Sequence, residues 1–224
     1  MKIKICGITT ENEIQMLNTA GVDYAGFVIF EKSKRYITST QASKLFGRLD
    51  GHIQRVAVTV SPNEALLEQI EEAGFDILQV HKELKQEILE KATKPIWLAV
   101  NAEDMEQALE KLEWTKQIEP QLAAKIEAFV LDAPAYGSGK TFNWRKSKRL
   151  KKAGTNSPPE NGLGQKRMLI LAGGLNPDNV AEGIECFLPD VVDVSSGVEN
   201  DNGIGKSEAK IQAFVTAVRS VTTQ

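Results

Sequence analysis

Short, almost wholly apolar runs alternate with amphipathic stretches from one end of the chain to the other. The runs cover 2–6, 24–30 (YAGFVIF), 55–60, 77–81, 95–100, 128–133, 168–172 and 191–194. Runs without a polar face predict strands buried on both sides, as in parallel sheets. The intervening stretches have helical spacing: between 10 and 20, Ile14, Leu17 and Ala20 fall on one face. Further helices are expected over 39–46, from Ser61-Pro62, over 84–92, from Glu103 past Leu112, after Asn176-Pro177 and over 207–221. Ser39, Ser61 and Asn176 are the expected caps. The stretch from Trp114 to Pro120 fits neither period.

Eight strand–helix units argue for the α/β class. In a chain of 224 residues they suit a closed (β/α)8 TIM barrel, a fold of ~200–250 residues, as one domain over 1–224. A doubly wound open sheet is the alternative, and the first strand lacks the G-x-G-x-x-G fingerprint of its dinucleotide-binding members. One segment breaks the alternation. KKAGTNSPPENGLGQK (151–166) reads as a mobile surface loop, at about 151–167, leading from helix to strand on the barrel face away from chemistry.

Composition narrows the function classes. Hydrophobic residues make up 42% and charged residues 25%, with a net charge of −3. The acidic balance argues against nucleic acid. No apolar run reaches the roughly 18 residues of a membrane span, and no secretory signal opens the chain. A reduced, cytoplasmic chain is therefore expected, with Cys6 and Cys186 unpaired. Two histidines, His52 and His81, are too few for a structural zinc site.

If the fold is a barrel, chemistry belongs where strands end and helices begin. Those positions hold Cys6, the KSKR loop with Arg35, His81, Asp132, Gly173-Gly174 and Ser195-Ser196-Gly197. The last two loops predict a phosphate site. Glycine lets backbone approach a ligand, helix starts offer unpaired N–H groups, and barrels of this kind bind phosphate after strands seven and eight. Asp132 closes an apolar strand, where desolvation raises a carboxyl pKa toward that of a general acid. A thiol of pKa ~8.5 at Cys6 needs only a modest drop to act as a base at neutral pH. Arg35 offers a fork for a carboxylate. GSGKT (137–141) lacks the first glycine of a P-loop and is expected to be a loop that covers the site.

Together KICGIT, GFVIFEKSKRYI, LQVH, LDAPAYGSGKTFNW, LAGGLNPDNV and VDVSSGVE resemble the phosphoribosylanthranilate isomerase family of tryptophan biosynthesis. The resemblance runs through nearly the whole chain. It departs at Lys82, where the family often has glycine, at Glu31 and Lys34, where it often has proline, and at Ser138 and the long 151–166 segment. The resemblance implies a TIM barrel that needs no cofactor and no metal. It implies an Amadori rearrangement, an aldose–ketose isomerisation of N-(5-phosphoribosyl)anthranilate to 1-(2-carboxyphenylamino)-1-deoxyribulose 5-phosphate. It makes Cys6 the general base, Asp132 the general acid and Arg35 a substrate-binding residue. From their places at the strand ends, His81 is expected to bind the substrate, and Gly173, Gly174, Ser195, Ser196 and Gly197 its phosphate. The expected partner is that small molecule, with no nucleic acid and no membrane, for a monomer or homodimer. An indole-glycerol-phosphate synthase would want a catalytic lysine at an early strand end. A non-catalytic phosphate-binding regulator would have no use for both Cys6 and Asp132.

Overall fold

The computed structural model describes residues 1–133, 141–144, 147, 150 and 167–222. Eight strands run β1 (Lys2–Cys6), β2 (Tyr24–Val28), β3 (Gln54–Val60), β4 (Ile77–His81), β5 (Ile96–Asn101), β6 (Ile126–Asp132), β7 (Met168–Leu171) and β8 (Val191–Val194). Each pairs in parallel with the next, and β1 pairs with β8, so the sheet closes on itself. The expected TIM barrel is the observed one. The expected 151–166 loop and all of GSGKT except Thr141 lie outside the described residues.

Two packed layers explain why the strands are apolar on both faces. Outward-facing side chains such as Ile5, Phe27 and Leu98 join the helices in one cluster. Inward-facing Tyr24, Val56, Val58, Trp97, Val130 and Ile170 fill the barrel. Tyr24 and Trp97 meet edge to face, centroids 4.8 Å apart, and plug its lower half. At the foot, Asp23, Asp76 and Asp190 precede β2, β4 and β8. Each accepts the amide of a neighbouring strand, from Ile3, Arg55 and Leu169, at 2.8 Å.

Three helix caps differ from those expected, each for a local reason. Thr38, not Ser39, caps the helix Ser39–Phe46, because Thr38 and Gln41 satisfy each other's amides in a capping box. Asn63, not Ser61, caps Glu64–Ala73, since the Ser61 hydroxyl instead accepts the Glu83 amide at 3.2 Å. Asn176 closes a turn by accepting the amides of Asp178 and Asn179, so the helix opens only at Val180. The ambiguous 114–120 stretch ends one helix, Met105–Gln117, and begins a short one, Pro120–Ala123.

Candidate active site

Cys6 ends β1 and is 8% exposed. The turn behind it is crowded from two sides. Arg35, from the loop after β2, packs its Cδ against Gly7, and Ser195 Oγ lies beside the same residue. The Ser195 hydroxyl donates to the Cys6 carbonyl at 2.9 Å, and Lys206 Nζ donates to the Ser195 carbonyl at 3.0 Å. Arg35 Nε donates to Glu199 Oε1 at 2.5 Å, while Lys34 Nζ donates to the other oxygen at 2.8 Å. Burial works to raise the Glu199 pKa, but these two donors outweigh it and hold the carboxyl below its ordinary range.

Below the thiol lies Lys4, two residues earlier and on the same inward face of β1. It is fully buried, and its Nζ donates to Asp193 Oδ2 of β8 at 2.7 Å. The Cys6 pKa moves opposite to the modest drop expected: burial pushes the thiol up, and Lys4 is the largest influence pulling it down. Burial opposes the charge on Lys4 too, but Asp193 and the thiol together hold its pKa above that of an ordinary lysine.

Across the mouth, Asp132 ends β6 and is 8% exposed. Burial raises its pKa to about 7, against the Ala133 amide, which donates to Oδ1 at 2.8 Å. Asp193 adds to the rise and Lys4 opposes it. His81, at the end of β4, brings Nδ1 to 3.9 Å from Asp132 Oδ2, and its Nε2 meets Gln79 Nε2 at 2.9 Å. Burial, then the charges of Lys4 and Lys111, lower the His81 pKa to about 3. At neutral pH the ring is uncharged, so this contact is not an ion pair. Lys82, where the resemblance expects glycine, takes φ +60. Its carbonyl is held by Lys111 Nζ, which also donates to the Ala99 carbonyl at 2.8 Å.

The two glycine-bearing loops adjoin each other and the acid. A Cβ on Gly173 would lie 3.2 Å from Asp132 Oδ1. One on Gly197 would lie 2.0 Å from the Leu175 carbonyl oxygen, so the loop after β8 rests directly on the loop after β7. Among the described residues, no hydrogen bond uses the amides of Gly173, Gly174, Ser196 or Gly197. The Ser195 side chain, by contrast, is engaged in tying β8 to β1.

The structure thus brings every sequence-predicted site residue to one end of the barrel. Sequence reasoning missed Lys4, Asp193, Glu199 and Lys206. A charge inside an otherwise apolar strand was the available signal for the first two, since Lys4 alternates with Cys6 and Asp193 sits in VDV. Among the described residues, no group of three His, Cys, Asp or Glu side chains is placed to hold a metal ion.

Comparison with known proteins gives the family. The family model described as N-(5'phosphoribosyl)anthranilate (PRA) isomerase matches residues 3–217. N-(5'-phosphoribosyl)anthranilate isomerase of Thermoanaerobacter pseudethanolicus is 37% identical over 99% of both chains. That of Streptococcus gordonii is 34% identical over 97% of both. The phosphoribosyl anthranilate isomerase structure from Thermus thermophilus superposes with a TM-score of 0.80 at 29% identity, covering 99% of this chain and 100% of that one. Monomers of the dimeric phosphoribosylanthranilate isomerase from Thermotoga maritima give 0.76 at 31% identity, covering 98% and 99%. A family structure in complex with reduced 1-(o-carboxyphenylamino)-1-deoxyribulose 5-phosphate gives 0.74 at 29%, covering 98% and 99%. The chain belongs to the N-(5'-phosphoribosyl)anthranilate isomerase family, the isomerases of tryptophan biosynthesis.

Proposed function

We propose that this isomerase performs the Amadori rearrangement of N-(5-phosphoribosyl)anthranilate with Asp132 as general acid and Cys6 as general base. The observation that carries the reading is the convergence of a carboxyl raised to about 7 and a thiol with a buried ammonium beside it in one barrel mouth. The relative solved with reduced 1-(o-carboxyphenylamino)-1-deoxyribulose 5-phosphate supports the substrate class.

Asp132 gives its proton to the ring oxygen as the C1–O bond breaks, and the anthranilate nitrogen lone pair completes an iminium. The cation acidifies the C2 hydrogen. Cys6, as thiolate, takes that proton, and the C2–H electrons form the C1–C2 double bond of an enolamine. Loss of the C2 hydroxyl proton and gain of one at C1 give the ketone. The site is left with a Cys6 thiol and an Asp132 carboxylate, and a proton passes back through water before the next turnover. The amides of Gly173, Gly174, Ser196 and Gly197, without a partner among the described residues, suit the phosphate, with Ser195 fixing their loop. Arg35, anchored through Nε by Glu199, presents its guanidinium edge to the anthranilate carboxylate. Neutral His81 lines the acid's side of the sugar. Binding at both ends of the substrate orients the reacting carbon between acid and base. The rearrangement needs no redox partner, and we place the enzyme in the cytoplasm.

The test is to mix the protein with freshly made phosphoribosylanthranilate and follow loss of its fluorescence. Asp132→Asn is expected to abolish turnover while leaving substrate binding largely intact. Cys6→Ser is expected to lose on the order of 10³-fold or more, because an alkoxide is not accessible near pH 7. Near-normal turnover in either variant would remove that residue from its role. No fluorescence loss with folded, unaltered protein would favour a non-catalytic phosphate-binding barrel.

A further inference from the structure

The acid–base scheme leaves one buried ion pair without a task. Lys4 and Asp193 stand in register on β1 and β8, 0% and 7% exposed, with 2.7 Å between Nζ and Oδ2. A pair so deep is a poor source of stability, since apolar residues of similar volume generally do as well. It is also incompletely satisfied: among the described residues, Asp193 Oδ1 has no hydrogen-bond partner. Its surroundings suggest what it does. Gly26 of β2 leaves a notch filled jointly by Lys4 and Cys6. A Cβ there would lie 3.1 Å from Lys4 Cε and 2.9 Å from Cys6 Sγ. The ammonium therefore abuts the thiol, while the carboxylate belongs to β8, two strands from Asp132 on β6.

We propose that the Lys4–Asp193 pair positions the protons of the site, its ammonium end keeping the proton off Cys6 and its carboxylate end keeping the proton on Asp132. The inference rests on the reading of Cys6 as base and Asp132 as acid. The order of influences agrees with it. After burial, Lys4 is the charge that acts most on Cys6, and Asp193 the charge that acts most on Asp132. The other groups facing these two are few. Lys206 acts on the thiol, and Arg35, held by Glu199, packs over the turn behind it. The Ala133 amide and uncharged His81 meet the carboxyl.

The consequence is a specific pH–rate profile. The working form has a thiolate and a carboxylic acid. It competes with a form of equal charge that has a thiol and a carboxylate. Each unit by which the thiol's pKa exceeds the carboxyl's lowers the working fraction about tenfold. The acidic limb then reports Asp132 and the alkaline limb Cys6. The ion pair narrows the gap between them from both ends.

Removing both charges in Lys4→Met/Asp193→Asn, which leaves no unpaired ion, is expected to lower and broaden the bell. The limbs should separate, and kcat/KM at the optimum should fall about tenfold for each unit of separation. Asp193→Asn alone should instead move both limbs to lower pH, because Asp193 raises both groups. Iodoacetamide alkylation in a Cys186→Ser background reads the thiol directly, and its pKa should follow the alkaline limb. Limbs that stay in place in either folded variant would overturn the proposal. So would failure of both variants to fold, which would assign the pair to stability. If the acid–base reading itself is at fault, the mismatch appears already in the unaltered enzyme, where the alkaline limb and the alkylation pKa would differ.

Discussion

Aspartates stand at both ends of this barrel, in opposite circumstances. At the foot, Asp76 accepts the Arg55 amide at 2.8 Å, its Nε at 2.7 Å and its Nη2 at 2.6 Å. Burial works to raise its pKa, but those bonds to Arg55 prevail and hold the carboxyl below its ordinary range. Asp23 and Asp190 each take a strand amide in the same way. At the mouth, Asp132 is more deeply buried and, among the described residues, receives one backbone amide, and its pKa rises to about 7. Donor supply, more than burial alone, separates a carboxylate that ties strands together from a carboxylic acid ready to give up a proton. The division follows the fold, because barrels of this kind build their ligand sites at the mouth and leave the foot to stability.

The largest expected effect is a change in the slope of stability against pH. Asp132 has a folded pKa of about 7, above the ~3.9 of an unfolded aspartate. The folded state therefore holds the proton more tightly. This contribution to stability is complete below about pH 4, declines as pH rises, and is gone once pH has passed through about 7. Asp132→Asn does not titrate. At ~1.4 kcal/mol per unit, the variant should gain up to ~4 kcal/mol on the unaltered protein between pH 4 and pH 8. Urea unfolding at the two pH values measures it. A constant difference would mean that folding leaves the Asp132 carboxyl unperturbed.

The barrel was legible in the sequence because strands covered on both faces have to be apolar throughout, as 24–28 and 96–100 are. The residues at the strand ends were legible for the same reason, since Cys6 and Asp132 interrupt such runs. Helix starts were less so. A capping side chain competes with other nearby amides, and at Ser61 and Asn176 the competitor won. The polar floor of the site was harder still. Lys4 reads as one more lysine in a KIKIC strand until closure of β1 against β8 sets it against Asp193. Glu199 and Arg35 are 164 residues apart and meet only in the closed barrel.

The joint between the two glycine loops offers an intermediate effect, confined to the mouth. A Cβ at position 197 would lie 2.0 Å from the Leu175 carbonyl oxygen and 2.9 Å from Asn176 Cα. Both are backbone atoms, so Gly197→Ala has to move the loop after β7 as a whole, at ~1–3 kcal/mol. The amides proposed to hold phosphate then lose their alignment. KM should rise roughly tenfold or more while kcat falls less, since phosphate lies at the end of the substrate remote from C2. Steady-state kinetics with inorganic phosphate as competing inhibitor checks this. An unchanged inhibition constant would place the phosphate elsewhere.

The smallest effect belongs to the foot, and it should carry the opposite sign. Asp76 is held below its ordinary pKa by Arg55. Its contribution to stability is therefore present above the unfolded pKa and is lost as pH falls through the folded one. Asp76→Asn keeps an acceptor for the Arg55 amide but gives up the charge that the guanidinium pairs with. Because this pair is partly exposed to solvent, the loss should be only ~1 kcal/mol, about 2–4 °C in Tm for a domain of this size. It should appear at neutral pH and shrink on acidification, with kcat and KM unchanged. Measured side by side, the two Asp→Asn variants should diverge from the unaltered protein in opposite directions as pH rises: Asp132→Asn gaining stability relative to it and Asp76→Asn losing it. Parallel slopes would show that donor supply does not distinguish the two ends of the barrel.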